Sequence, residues 1–245
     1  MGSQNLQLAG FPLGFGGQPT FSPDGEKFAF SCSNIVGMSY QSKVQLFNFD
    51  RCSGVFSLDT VIDFTDGNIS FATAFSPNSK YLYFGTTENL YQINTDTSDI
   101  GATFQLVATN DIFPSSVPPF YTNFYLMYLA ANGKIYISST SSVEHLHEIN
   151  YPDSAGVACG VQLHNVFTDC YFIGVPNHPN YYLGCDTTQT TCPCLITGIN
   201  EIKQHDFKFS VSPNPSNGNF KIMYLLPQNS KGIFEVFDIT GKKVF

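Results

Sequence analysis

Residue types able to do chemistry gather at three places in this chain of 245 residues. In the first, Asp50-Arg51-Cys52, followed by Gly54, sets a carboxylate, the sole arginine and a thiol side by side. A thiol beside a cation can act as a nucleophile, but it needs a general base within hydrogen-bond reach, and no neighbouring residue supplies one. The pattern is better explained as a structural corner, with Asp50 accepting backbone N–H groups, Arg51 anchoring a pair between repeats, and Cys52 buried or bridged. In the second, His145 and His147 share a strand face between Glu144 and Glu148, which would suit Zn²⁺ only with a third ligand from elsewhere. Leu146 and Ile149 read as the core residues of that strand, so both imidazoles are expected to face solvent. His164 and His178 lie further on, and the Pro-Asn-His-Pro-Asn turn already accounts for His178.

The third place is Cys192-Pro193-Cys194 with Cys185. It lacks both the two-residue spacer of redox motifs and a helix start to acidify a thiol, and it falls short of a zinc knuckle. Disulfides are the better expectation, drawing on Cys159, Cys170, Cys185, Cys192 and Cys194. Isolated Asp24 and Asp66 do not make a calcium cage of six or more oxygens and are explained by turn chemistry. Paired catalytic carboxylates, a phosphate-binding glycine loop and a nucleophile elbow are all missing from the sequence. No catalytic residue, metal site or cofactor is nominated.

The elements that must position these residues are strands. Phe21-Ser-Pro-Asp-Gly-Glu-Lys-Phe-Ala-Phe30, Phe75-Ser-Pro-Asn-Ser-Lys-Tyr-Leu-Tyr-Phe84 and Leu129-Ala-Ala-Asn-Gly-Lys-Ile-Tyr-Ile-Ser138 are related, with 54 residues from Phe21 to Phe75 and 54 from Phe75 to Leu129. Each reads as two strands joined by a tight turn at Asp24-Gly25, Asn78-Ser79 or Asn132-Gly133. A third strand follows in each, at 44–48, 90–94 and 146–150. Four-stranded units at this period predict propeller blades, since such a sheet buries both faces only by packing against its neighbours. The units are expected near 18–64, 71–110 and 124–158, with final strands in 159–184, a Thr- and Cys-rich linker over 185–206 and a small β module over 207–245. The fold class is therefore all-β: a partial β-propeller followed by an incomplete sandwich. Three and a half blades fall short of the usual four to eight, which suggests a piece of a larger ring.

Composition narrows the function. Charged residues make up 12% of the chain, about half the usual share, while 24 Phe and 13 Tyr suit stacked sheets. A net charge of −8 with ten scattered lysines lacks the basic footprint of a nucleic-acid binder. No apolar run reaches the roughly 18 residues of a membrane span. Nor does the N-terminus carry the pattern of a signal peptide.

Two resemblances add to this reading. The segment "FSVSPNPSNGNFKI" with "GIFEVFDITGKKVF" resembles the type A C-terminal sorting domain of the Bacteroidetes type IX secretion system, an Ig-like sandwich. The motif is carried by Pro213, Asn214, Pro215, Gly218, Asp238, Gly241 and Lys242. Such domains continue through further strands, so this copy is expected to be unfinished. Residues 18–184 are similar to WD40-like or lactonase-like propellers found beside that tail, through the Asp50-Arg51-Cys52-Ser-Gly54 blade motif and the 146–159 and 175–184 segments. The resemblances imply a secreted or cell-surface protein that engages the type IX machinery and presents a surface to a protein or glycan. The alternative is a propeller enzyme of lactonase or quinoprotein type with its site at the central channel; the apolar leading strands 69–75 and 124–129 disfavour it.

Overall fold

The computed structural model describes residues 15–140, 143–170, 174, 183, 208–215, 217–225, 231–233, 235–238 and 240–244. The protein is all-β, and its chain divides into two compact units, Met1–Cys192 and Pro193–Phe245.

Three antiparallel sheets in chain order make up the described part of the first unit. In the first sheet, β1 (Phe15–Gly16) and β2 (Thr20–Phe21) both pair with β3 (Lys27–Val36), which is followed by β4 (Ser39–Asp50) and β5 (Val55–Phe64). The second runs β6 (Ser70–Phe75), β7 (Tyr81–Thr86), β8 (Asn89–Asn94) and β9 (Gln105–Thr109). The third runs β10 (Met127–Leu129), β11 (Ile135–Ile137), β12 (His145–Ile149) and β13 (Val161–Phe167). Its outer strand thus lies beyond residue 158, where the repeat pattern placed the end of the third unit. The expected leading strand over 124–129 is shorter, confined to β10.

The middle sheet shows why blades need neighbours. Every residue of β7 is buried: Leu82 and Phe84 point to a core shared with Ala29, Val44, Leu46 and Phe64 of the first sheet. Tyr81 and Tyr83 point the other way, to a core shared with Met127, Ile135 and Ile149 of the third. A strand covered on both faces carries a continuous apolar run instead of an alternating one, and Tyr-Leu-Tyr-Phe is such a run.

The turns fix the registers. In the first sheet the Ser22 hydroxyl accepts the Lys27 N–H at 2.9 Å and donates to Asp24 at 2.5 Å; Ser76 does the same with Tyr81 and Asn78 at 2.9 and 2.7 Å. Phe21 then pairs with Phe28 and Phe75 with Leu82. Ala130 has no hydroxyl, its N–H reaches the Lys134 carbonyl, and Leu129 pairs with Ile135, one residue short of the other two. A slip of one residue exchanges the faces of a strand, so Ile135 and Ile137 meet the second sheet where their counterparts by sequence, Tyr81 and Tyr83, face away from the first.

Among the described residues of the second unit, β14 (Lys208–Ser212) pairs with β15 (Lys221–Leu225), and Phe237 bridges Lys243.

Candidate functional site

The leading strands come together around one residue before β2. Gln18 donates its backbone N–H to the Phe71 carbonyl, and its side-chain amide both donates to the Met127 carbonyl (2.9 Å) and accepts the Met127 N–H (3.2 Å). Thr73 Oγ1 donates to the Gln18 carbonyl at 3.0 Å. A single glutamine therefore ties all three sheets where a propeller channel would be lined. Beside it, a Cβ on Gly17 would lie 2.3 Å from the Phe71 carbonyl oxygen, so only glycine permits this approach.

Asp50 to Gly54 forms the turn between β4 and β5. Asp50 Oδ1 accepts the N–H groups of Cys52 (2.8 Å) and Ser53 (3.2 Å), which hold its carboxyl below the ordinary range. Gly54 takes a left-handed φ of 71° and closes the turn by donating to the Asp50 carbonyl. Arg51 Nη1 donates to the Asp24 carbonyl, in the β2–β3 turn of the same sheet. Cys52 is disulfide-bonded.

Two of the expected disulfide cysteines are instead free thiols. Cys159 is buried in the core between the second and third sheets, where apolar surroundings raise its pKa, and Cys170 is exposed. The burial of Cys159 reflects an inter-sheet clamp that the sequence pattern did not disclose. Tyr83 Oη donates to the Pro152 carbonyl (2.8 Å), while Gln92 donates to Tyr83 Oη (2.6 Å) and to the Ser154 carbonyl (2.8 Å). The Gly156 N–H and the Gln105 amide in turn donate to Gln92 Oε1. Cys185, Cys192 and Cys194 lie outside the described residues, as does His178.

The histidine pair also departs from expectation. His147 does not face solvent: it is fully buried, edge-on to Phe124 with ring centroids 4.9 Å apart. An irregularity between β12 and β13 lies opposite it. Leu146 pairs with Val166 and Glu148 with Gln162, so Leu163, His164 and Asn165 bulge opposite His147 alone. The bulge is pinned from inside, since His147 Nδ1 accepts the His164 N–H at 3.0 Å. His164 holds a φ of 42°, stacks on Phe113 at 4.0 Å and 15°, and places Nε2 2.9 Å from Asp111 Oδ2. His145 touches the edges of Phe113 and Phe167. Asp111 and Phe113 were not singled out by sequence, because a connection 53 residues before His164 carries no pattern that points to it. Among the described residues no group of three or more His, Cys, Asp or Glu side chains is placed to hold a metal ion.

In the second unit, Asp238 Oδ1 accepts the Thr240 N–H (2.8 Å), the Thr240 hydroxyl (2.6 Å) and the Lys242 N–H (3.0 Å). Gly241 fits that turn with φ 82°. Pro213, Asn214, Pro215 and Gly218 lie between β14 and β15, with Gly218 at φ 106°.

No protein-family model matches the chain, and no curated protein matches it. Among solved structures it is similar to a protein of unknown function from Bacteroides thetaiotaomicron, at 16% identity and a TM-score of 0.36, covering 55% of this chain and 30% of that one. A functionally unknown protein from Desulfotomaculum acetoxidans is 16% identical with a TM-score of 0.38, covering 64% of this chain and 44% of that one. The periplasmic gluconolactonase of Pseudomonas aeruginosa is 11% identical with a TM-score of 0.41, covering 91% of this chain and 62% of that one. The chain thus spans less than two thirds of the length of each of these proteins.

Proposed function

We propose that this chain belongs to an exported β-propeller protein that acts without catalysis, presenting the rigid surface of its blades to a protein or glycan. The observation that supports this most is how the leading strands use their polar groups. The Gln18 amide and the Thr73 hydroxyl are spent on tying the sheets together and do not stand ready to bind a ligand. Chemistry at a propeller channel needs the reverse, polar groups held open to a substrate at the cost of some stability.

Export would follow the type IX route through residues 207–245. The Asp238 turn supports this part, because its carboxylate and Gly241 build one of the hairpins on which the resemblance rests. No helix among the described residues is long and apolar enough to cross a membrane.

Two measurements test the reading. Fractionation of cells with an intact type IX system should recover the protein outside the cytoplasm, and Asp238→Ala should retain it inside; a cytosolic, unprocessed product refutes the export route. Incubation of the purified chain with a series of lactones should give no turnover above the buffer rate, whereas hydrolysis abolished by substitutions at the leading strands would establish the enzyme instead.

A further inference from the structure

We propose that His147 is an acid-sensitive latch: a proton arriving at its Nδ1 expels the His164 N–H and releases β13 together with the connection over 111–122 that is stacked on it. The proposal stands on the geometry of the bulge. A backbone N–H needs an acceptor when buried, and the acceptor here is the lone pair of a titratable ring. A second proton on the imidazole must occupy that lone pair, so donor and proton compete for one site.

The surroundings compensate the protonated ring only in part. His147 Nε2 has no hydrogen-bond partner, although the Asn123 carbonyl faces the ring and favours its charge somewhat. The charged and titratable groups around it are His164 on β13, Asp111 on the preceding connection, and His145 on its own strand. Asp111 is engaged by His164. Glu148 on the same strand as His147 is held by Lys134 and Asn165, and Glu144, just before that strand, by Ser115 and Ser116. Burial, aided by the two other histidines, pushes the ring's pKa down to about 4.

What the latch holds is specific. His164 is the point at which β13 grips the connection, through the ring stacked on Phe113 and the contact with Asp111. That connection carries its own small hairpin, with Pro114 bridged to Tyr121 and Ser115 and Ser116 donating to Glu144. Losing the bulge therefore loosens one edge of the third sheet and leaves β7 and β8 packed on both sides. In the opened form His147 meets water and regains its ordinary affinity for protons. The opening constant then grows by less than tenfold per pH unit from about 6.5 down to the closed-state value, or about 40-fold between pH 6.5 and 4.5.

Hydrogen exchange of the whole chain, corrected for the intrinsic pH dependence of the chemistry, tests this. Between pH 6.5 and 4.5, protection over 161–168 and 111–122 should fall about 40-fold while protection over 81–94 holds. His147→Asn keeps an oxygen acceptor for the His164 N–H but cannot titrate, and it should abolish the pH dependence. An unchanged pH dependence in that variant, or a loss spread evenly over 81–94, overturns the proposal. If the variant does not fold, the imidazole resonances of the wild type decide. A His147 midpoint well below 6 that coincides with release of 161–168 supports the latch, and a midpoint near 6.5 refutes it.

Discussion

Gly17 and Tyr83 show how much of this protein rests on single atoms. A methyl group on Gly17 would sit 2.3 Å from the Phe71 carbonyl, and both partners are backbone, so neither can swing aside. Gly17→Ala should destabilise the fold by about 1–3 kcal/mol, the usual range for overpacking, and more if β6 must shift. Urea unfolding measures it, and an unchanged midpoint would show that the segment is not fixed against β6. Tyr83→Phe removes one hydroxyl that donates to the Pro152 carbonyl and accepts from Gln92. Leaving a buried carbonyl and an amide N–H without partners costs about 1–3 kcal/mol. The same assay should therefore report a loss at Tyr83 larger than at Tyr81, whose hydroxyl makes no comparable contact between the sheets.

At the scale of elements, the turn hydroxyls govern register. Ser76 accepts the Tyr81 N–H and donates to Asn78, so Ser76→Ala should lower stability by about 1 kcal/mol. Ala130→Ser should change the melting temperature little, because the third sheet already closes on the shorter loop and its core faces are set by Ile135 and Ile137. A large effect at Ala130 and none at Ser76 would mean that the hydroxyl does not select the loop. These turns also mark how far the sequence could be read. The recurrence of Phe21, Phe75 and Leu129 is covalent spacing and was legible; so was the chain-order pairing of the strands in the second and third sheets, which follows from turn residues and apolar runs. The slip in the third sheet was not, because the three segments align residue for residue in sequence and only the folded turn, without a hydroxyl at Ala130, closes one residue short. The burial of His147 was hidden for a related reason. His147, Glu148 and Ile149 are buried in succession while His145 and Leu146 are half-buried, so alternation, the signal that would have assigned the histidines, disappears. Asp50 was read correctly as an acceptor of backbone N–H groups because an Asx turn is local, whereas the Arg51 partner depends on where the β2–β3 turn lies in space.

For the whole molecule, the titratable groups set a pH window and the thiols report on it. The folded-state pKa of His147 lies below that of the unfolded chain, so the unfolded state binds the extra proton first. Its contribution is complete above about pH 6.5 and is lost as pH falls towards about 4, a change of up to about 3 kcal/mol. On the alkaline side, burial and the nearby Asp66 push the Tyr91 hydroxyl up to about 12, so the stability it confers is present below pH 10 and lost above it. Equilibrium unfolding between pH 4 and 8 should show stability rising with pH along the acid limb, and a flat limb would show that His147 is not held neutral by the fold. Thiol labelling gives an independent readout of the same state. Cys170 is exposed and should react with a disulfide reagent within the mixing time at pH 8, whereas Cys32 and Cys159 are buried and their pKa values are raised by desolvation. A thiol that is both inaccessible and protonated reacts only when the structure opens, so their labelling rate measures opening of the sheets that cover them. Mass mapping should find Cys170 modified first, Cys52 protected until a reductant is added, and Cys159 modified faster in Tyr83→Phe than in the wild type, since the clamp over it has lost its central hydroxyl. Equal rates at Cys159 in the two proteins would show that the clamp does not hold the second and third sheets together.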